Sequence, residues 1–379
     1  MRVLIAPDKF KGTLTAAEAA AAISEGVLRV YPEAVITTLP MADGGEGTVE
    51  AAVAAGFDER INAVVGPILK PTAAAWALSP ASGGLSAEAP VTAVIETAQA
   101  SGYLLAERTP ENALRAHSYG CGQLIAAALD AGATEIILGL GGSAMSDGGT
   151  GALRALGLKL LDRHGALVPL GGGNLVDIAV LDASELDPRL ATTRIRVAVD
   201  VDNPLYGPLG AAHVFGPQKG ADADGVERLD AGLRHLASLL REATGVDPNL
   251  PGAGAAGGFP ASWVALAGAK LESGVALVAE LVGLDARIAE ADLVVTGEGS
   301  VDSQSLAGKT PVGVARAAQK AGIPVVLVAG QLSVDYEELA ALGVVAAASA
   351  AEVARSAEAA MAEPAKYLAA ATAEALNGS

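Results

Sequence analysis

Aromatic side chains are scarce in this chain: Phe, Trp and Tyr together make up 3% of 379 residues. A core must therefore come from small aliphatic groups approaching closely on helices and strands, a composition that favours layered α/β architecture. Cysteine is scarcer still. Cys121 stands alone, which excludes an intrachain disulfide and a thiolate metal cluster and fits a cytoplasmic setting; it is expected to be packed and inert. The four histidines, His117, His164, His213 and His235, share no metal-ligand spacing and read as core or surface residues. Positive charge is also short. Lys and Arg number 25 against 43 Asp and Glu, a formal charge of −18, which argues against nucleic acid as a partner because phosphate backbones are bound through basic surface. Nor is there an apolar run of about 18 residues free of charge, Gly and Pro clusters, so the hydrophobic residues read as core and not as a membrane span. The apolar start, "MRVLIAP", is too short for the h-region of a signal peptide.

What is abundant is alanine, glycine and a βα rhythm at both ends. "RVLIAP" is a strand, "TLTAAEAAAAISEGVLRVYP" a helix capped by Thr13 or Thr15 with Glu18 in its first turn, and "AVITTLPM" a second strand. From 290 the rhythm returns with "DLVVTGEG", "PVGVARAAQKAG", "IPVVLVAG", "VDYEELAALG" and "VVAAAS". Two strands from the start and three from the end are enough for one flavodoxin-like, doubly wound parallel sheet, with everything between them an inserted α/β domain carrying a mixed sheet. Within the insertion, "RINAVVGPILKPTAAAWALSP" alternates and reads as antiparallel strands. The expected division is 1–60 plus 285–379 for the first domain and 61–284 for the second.

Four glycine-framed polar loops follow apolar runs: "PMADGGEGT", "LGLGGSAMSDGGTG", "VDVDNPLYGPLGA" and "VTGEGSVDSQSLAGKTP". Ligands of open α/β sheets bind outside the carboxyl ends of strands. The "AGKT" of the last loop is not a Walker A motif, which needs a glycine where Ser303 stands; "GAGAAG" at 252–257 follows no strand and is not a dinucleotide fingerprint. The chemistry such loops can support is phosphoryl transfer, which needs donors on the transferred group, oxygen ligands for Mg²⁺ and a place for the hydroxyl proton. Asp43, Glu46, Asp147, Asp200, Glu298 and Asp302 are the candidate carboxylates, of which Mg²⁺ takes one or two. Lys11, Lys219 and Lys309 are the candidate anion partners, and Lys9 reads as solvated. Thr310 before Pro311 reads as the N-cap of the next helix, an anion-friendly terminus. The structural alternatives are that the glycines of "GGSAMSDGG" make turns with positive φ, that Asp147 caps a helix and that Asp200 closes an Asx turn.

Eight ordered segments carry a resemblance to the class I glycerate kinase family over nearly the whole chain: "APDKFKGTLTA", "PMADGGEGT", "ETAQASGY", "LGLGGSAMSDGG", "VDVDNPLYGPLGAA", "FGPQKGA", "PGAGAAGG" and "DLVVTGEGSVDSQSLAGKTPVGVA". The resemblance implies ATP- and Mg²⁺-dependent phosphorylation of D-glycerate, with the 2-hydroxyl favoured over the 3-hydroxyl, in a cleft between two α/β domains of a monomer or homodimer. It implies catalytic roles for Asp147, Asp200, Lys11 and Lys309, with Asp147 a candidate base. Substrate or phosphate would be held by Gly44, Gly45, Glu46, Gly141, Gly142, Ser143, Lys219, Gln304 and Thr310, and metal by Asp200, Glu298 and Asp302. Lys9, Ser146, Val199 and Ser305 depart from the family's usual Ser, Asn, Cys and Thr, which touches specificity more than activity. A kinase of a related hydroxy acid and a catalytically silent ligand-binding relative are the alternatives.

Overall fold

The computed structural model describes residues 1–80, 90–303 and 308–378. The chain forms two compact units. One comprises Met1–Asp43, Glu50–Ala55 and Val275–Ser379, the other Gly44–Val49 and Gly56–Gly274.

The first unit is built on a five-stranded parallel sheet in the order Val344–Ser349, Val325–Ala329, Leu293–Thr296, Arg2–Ile5, Val35–Thr38. Its central strands are apolar on both faces, as a sheet covered on both sides requires. Val3, Ile5, Leu293, Val295, Val326 and Val328 pack to one side with Ile23, Val27 and Leu368. Leu4, Val294, Val325 and Leu327 pack to the other with Val314, Ala318 and Ile288. The helix Ala16–Val30 begins at Thr15, whose hydroxyl accepts the Glu18 N–H at 3.2 Å while the Glu18 carboxylate accepts the Thr15 N–H at 2.8 Å. This reciprocal box satisfies two donors that a helix start would otherwise leave open.

Strand order reverses between Arg2–Ile5 and Leu293–Thr296: the chain winds outward from the first to Val35–Thr38 and from the second to Val325–Ala329. Such a reversal leaves a crevice at the carboxyl ends of the two strands. The loops leaving them are stitched together, with the Asp8 N–H donating to the Gly297 carbonyl at 2.9 Å and the Thr296 hydroxyl to the Ala6 carbonyl at 2.8 Å.

The second unit holds a six-stranded mixed sheet in the order Lys270–Glu272, Arg194–Ala198, Glu135–Gly139, Thr92–Glu96, Pro71–Leu78, Asp58–Val65. The first four run parallel; the last two form the antiparallel pair that the alternation at 60–80 predicts. Its core includes the helix Ala223–Thr244, which buries Leu229, Leu233, Leu236 and Leu240, and the stacked rings of Phe259 and Trp263, 5.6 Å apart. The fold is thus α/β, with a parallel sheet made from both chain ends and a separate mixed sheet.

The two units divide between Ala55 and Gly56 and between Gly274 and Val275, with the loop Gly44–Val49 the one earlier segment that belongs to the second unit. The loop Gly44–Val49 groups with the second sheet because its backbone packs there: a Cβ on Gly44 would lie 2.6 Å from the Ala198 Cβ and 2.6 Å from the Gly274 Cα. Among the described residues no helix is long and apolar enough to cross a membrane.

Gly297 sets the closest approach in the parallel sheet, since a Cβ there would collide with the Val328 carbonyl oxygen on the neighbouring strand. Backbone cannot rotate out of the way as a side chain can. Gly297→Ala is expected to destabilise the protein by about 3 kcal/mol or more, read as a lower midpoint in urea unfolding.

Candidate functional site

In the first unit the polar groups gather around Asp8, which follows the interior strand Arg2–Ile5, next to the middle strand of the sheet, and is 5% exposed. Its Oδ2 accepts the Thr310 hydroxyl at 2.6 Å and its Oδ1 the Lys9 N–H at 2.6 Å. The Lys9 ammonium stands 3.8 Å from Asp8 and 3.9 Å from Asp43. Burial pushes the Asp8 carboxyl above its ordinary value, the Lys9 ammonium and the Thr310 hydroxyl pull it back, and Asp43 adds to the rise. Asp8 and Lys9 thus occupy the crevice side of the strand reversal. Sequence reasoning passed Asp8 over as the end of an apolar run and took Lys9 as solvated, whereas its side chain is 22% exposed and lies between two carboxylates. The available signal was position: the first polar residue after a strand that lies inside a parallel sheet, at the reversal of strand order.

Thr310 corrects the expected capping. The helix spans Thr310–Ala321 with Lys309 as N-cap and no side-chain cap bond. Thr310 is the first helical residue, and its hydroxyl, which donates to Asp8, ties the helix start to the loop after the strand Arg2–Ile5. Lys309 is half-buried and Lys11 exposed. Lys11 lies beside the Glu298 loop, since a Cβ on Gly299 would come 3.1 Å from the Lys11 backbone nitrogen. Glu298 is 9% exposed and Asp302 half-buried. Gln304 lies outside the described residues.

In the second unit Asp147 is fully buried. Its Oδ2 accepts the Ser118 N–H and hydroxyl, each at 2.8 Å, and the Gly151 N–H at 3.1 Å; its Oδ1 accepts the Gly149 N–H at 3.1 Å. Four donors occupy this carboxylate, so its geometry is that of a group holding the turn Asp147–Gly151 against Ser118 and not that of a base facing a substrate. Gly148 and Gly149 have φ of +65° and +76°, the positive-φ turn anticipated as the structural alternative.

Gly44, Gly45 and Glu46 do meet Gly141: a Cβ on Gly141 would fall 2.8 Å from the Gly45 Cα and 3.1 Å from the Glu46 nitrogen. Glu96, 2% exposed, holds that loop by accepting the Gly47 and Val49 N–H groups at 3.0 and 2.8 Å. The sequence reading quoted "ETAQASGY" without giving Glu96 a role. Gly142 accepts the Tyr103 N–H through its carbonyl at 2.9 Å. Asp200 is exposed, and its Oδ1 accepts the Gly274 N–H at 3.0 Å.

Lys219 is 8% exposed, with its ammonium 2.6 Å from the Met145 carbonyl and 3.5 Å from the Ser143 hydroxyl. Burial pushes it from 10.5 down to about 8, with the more distant charge of Asp147 pulling the other way. His117 is likewise buried, and burial holds it below its ordinary value while the charge of Asp147 pulls the other way. Cys121 is buried, and its thiol is pushed up to about 12, so it is inert as a nucleophile.

Asp200 in the second unit and Glu298 and Asp302 in the first carry hard oxygen donors of the kind Mg²⁺ prefers. Among the described residues no three His, Cys, Asp or Glu side chains converge into a complete protein cage.

A family profile described as "Glycerate kinase family" matches residues 3–377. The chain belongs to the glycerate kinase family. It is 46% identical over 349 residues to the glycerate kinase of Halalkalibacterium halodurans, covering 92% of this chain and 90% of the relative. It is also 46% identical over 337 residues to the glycerate 2-kinase of Escherichia coli, covering 88% and 86%. Among solved structures, the putative glycerate kinase 2 of Salmonella typhimurium LT2 superposes with a TM-score of 0.82 at 40% identity, covering 100% of this chain and 99% of that one.

Between pH about 8 and 10.5 the unfolded chain carries a proton on Lys219 that the folded chain has lost, so stability from this site rises with pH across that window. Below about pH 8 the burial cost is fully present, on the order of 3 kcal/mol. Relative to Lys219→Met, the wild-type chain should gain stability as pH is raised from 7.5 toward about 10.5. Parallel denaturant titrations of the two proteins measure the difference, and a flat one contradicts the assignment.

Proposed function

We propose that the protein transfers the γ-phosphoryl group of ATP to D-glycerate, giving 2-phosphoglycerate. The observation that carries this reading is that lysines and carboxylates sit on loops at the carboxyl ends of parallel strands in a chain 46% identical, over 337 residues, to a protein named glycerate 2-kinase. Phosphoryl transfer through a loose transition state asks the protein mainly for positioning and charge neutralisation. In this reading Lys11 and Lys309 neutralise phosphate oxygens, with the helix start at Thr310 adding its dipole. Thr310 itself acts through its bond to Asp8, which fixes where that helix begins.

One or two of Asp200, Glu298 and Asp302 would hold Mg²⁺, which would supply positive charge to offset that developing on the phosphate oxygens. Gln304 is proposed to contact substrate as in the family pattern. Gly44, Gly45, Glu46, Gly141, Gly142 and Ser143 shape the phosphate-facing backbone of the second unit. Asp147 keeps that backbone in place and is not assigned the proton.

ADP release from Mg-ATP by the pure protein, with and without D-glycerate, tests the reading. Glycerate-dependent release with 2-phosphoglycerate as product is expected; 3-phosphoglycerate would move the attack to the other hydroxyl, and no release from folded protein would end the glycerate reading. Lys309→Ala should lower kcat/KM by about 100-fold or more while leaving the melting temperature near wild type. A large melting shift with retained turnover would make Lys309 structural.

A further inference from the structure

The Lys219 ammonium has three donors, and the described residues supply two acceptors, the Met145 carbonyl and, more distantly, the Ser143 hydroxyl. No carboxylate among the described residues lies within ion-pair distance of it. A buried cation without a counter-charge is costly, and proteins retain one where an anion arrives to complete it. Lys219 also lines a cavity with Tyr103, Arg108, Asn112 and Ala144. The cavity measures about 10 Å³, room for one atom the size of a water oxygen.

Arg108 was not singled out by the sequence. It is exposed at the mouth of the cavity, with its guanidinium 4.8 Å from the centre of the Tyr103 ring, a stacking that restricts the side chain. Glu107 shares the mouth and is also exposed, where water screens its charge. The placement of Arg108 relative to Lys219 is fixed by backbone. Gly220, with φ +100°, follows Lys219, and a Cβ on it would lie 2.6 Å from the Arg108 carbonyl carbon and 2.7 Å from the Thr109 nitrogen. Only glycine allows the two segments to lie this close. In a chain of net charge −18, one cation at the base of a small cavity and another at its mouth make an anion seat.

We propose that this cavity seats one oxygen of a reactant's oxyanion against Lys219, with Arg108 holding the rest of the group at the mouth. The proposal rests on the kinase reading above and deepens it: the oxyanion is the carboxylate of the hydroxy acid or a phosphate of the nucleotide. Ser143 links the seat to the loop Gly141–Ser143, which places the anion beside backbone already assigned to phosphate or substrate.

Steady-state kinetics of Arg108→Gln, Arg108→Lys and Lys219→Met, with KM measured separately for D-glycerate and Mg-ATP, test it. Arg108→Gln should raise one KM by about tenfold, more than it lowers kcat, and Arg108→Lys should recover most of the loss. A rise for D-glycerate identifies the carboxylate and a rise for Mg-ATP the phosphate. Unchanged KM values, within about twofold, for both reactants in folded Arg108→Gln and Lys219→Met overturn the seat while leaving the kinase reading intact. Should the wild-type protein not turn over D-glycerate at all, the kinase reading fails by itself. Calorimetric titration of D-glycerate and of ADP into wild-type and Arg108→Gln protein then decides: binding weakened by the substitution supports the seat, and equal or absent binding sinks it.

Discussion

Close approach of backbone to backbone at the carboxyl ends of the strands is the constraint on which the rest of the structure depends. With few aromatics to fill space, the chain brings segments together until main-chain atoms touch, and a methyl group at the contact would not fit. Gly297 against Val328, Gly44 against Gly274 and Gly141 against Gly45 are instances of one device. It locks the loops that leave the strands.

The second theme is charge of both signs held away from water in a strongly acidic protein. Asp8 is stabilised by a hydroxyl, an N–H and a nearby ammonium, and Asp147 by four donors. Lys219 has a carbonyl and a distant hydroxyl but, among the described residues, no carboxylate within ion-pair distance. The acids are therefore parts of the framework, each with its polar partners supplied internally, whereas the lysine is incompletely served by the protein itself.

The architecture was legible because strands buried on both faces leave continuous apolar runs, and because "RVLIAP" and "DLVVTGEG" carry the same βα grammar at opposite ends of the chain. The antiparallel pair at Asp58–Val65 and Pro71–Leu78 announced itself by alternation. Site membership was legible only as a set of loops. Nothing in "SDGG" says that Asp147 is surrounded by donors, since Ser118 lies 29 residues away in sequence. Thr310 looked like a cap because Thr before Pro usually is one, yet Asp8, 302 residues away, claims its hydroxyl. Arg108 carries no local signal at all, and its neighbourhood with Lys219 depends on a glycine whose contacts are wholly tertiary.

The parallel sheet joins strands that are synthesised far apart. Arg2 and Asp292 pair across 290 residues, as do Ala6 and Thr296, so the inner edge of Arg2–Ile5 stays without its partner while the intervening chain emerges. At roughly 5–20 residues per second that interval lasts on the order of 15–60 seconds. The second unit, drawn almost wholly from one uninterrupted stretch, can assemble in the meantime, and the first cannot close before the strand Leu293–Thr296 has appeared. The interior strand Arg2–Ile5 is thus made about 290 residues ahead of its inner-edge partner, and it is during this delay that an unpaired apolar edge is most exposed to aggregation and to chaperones.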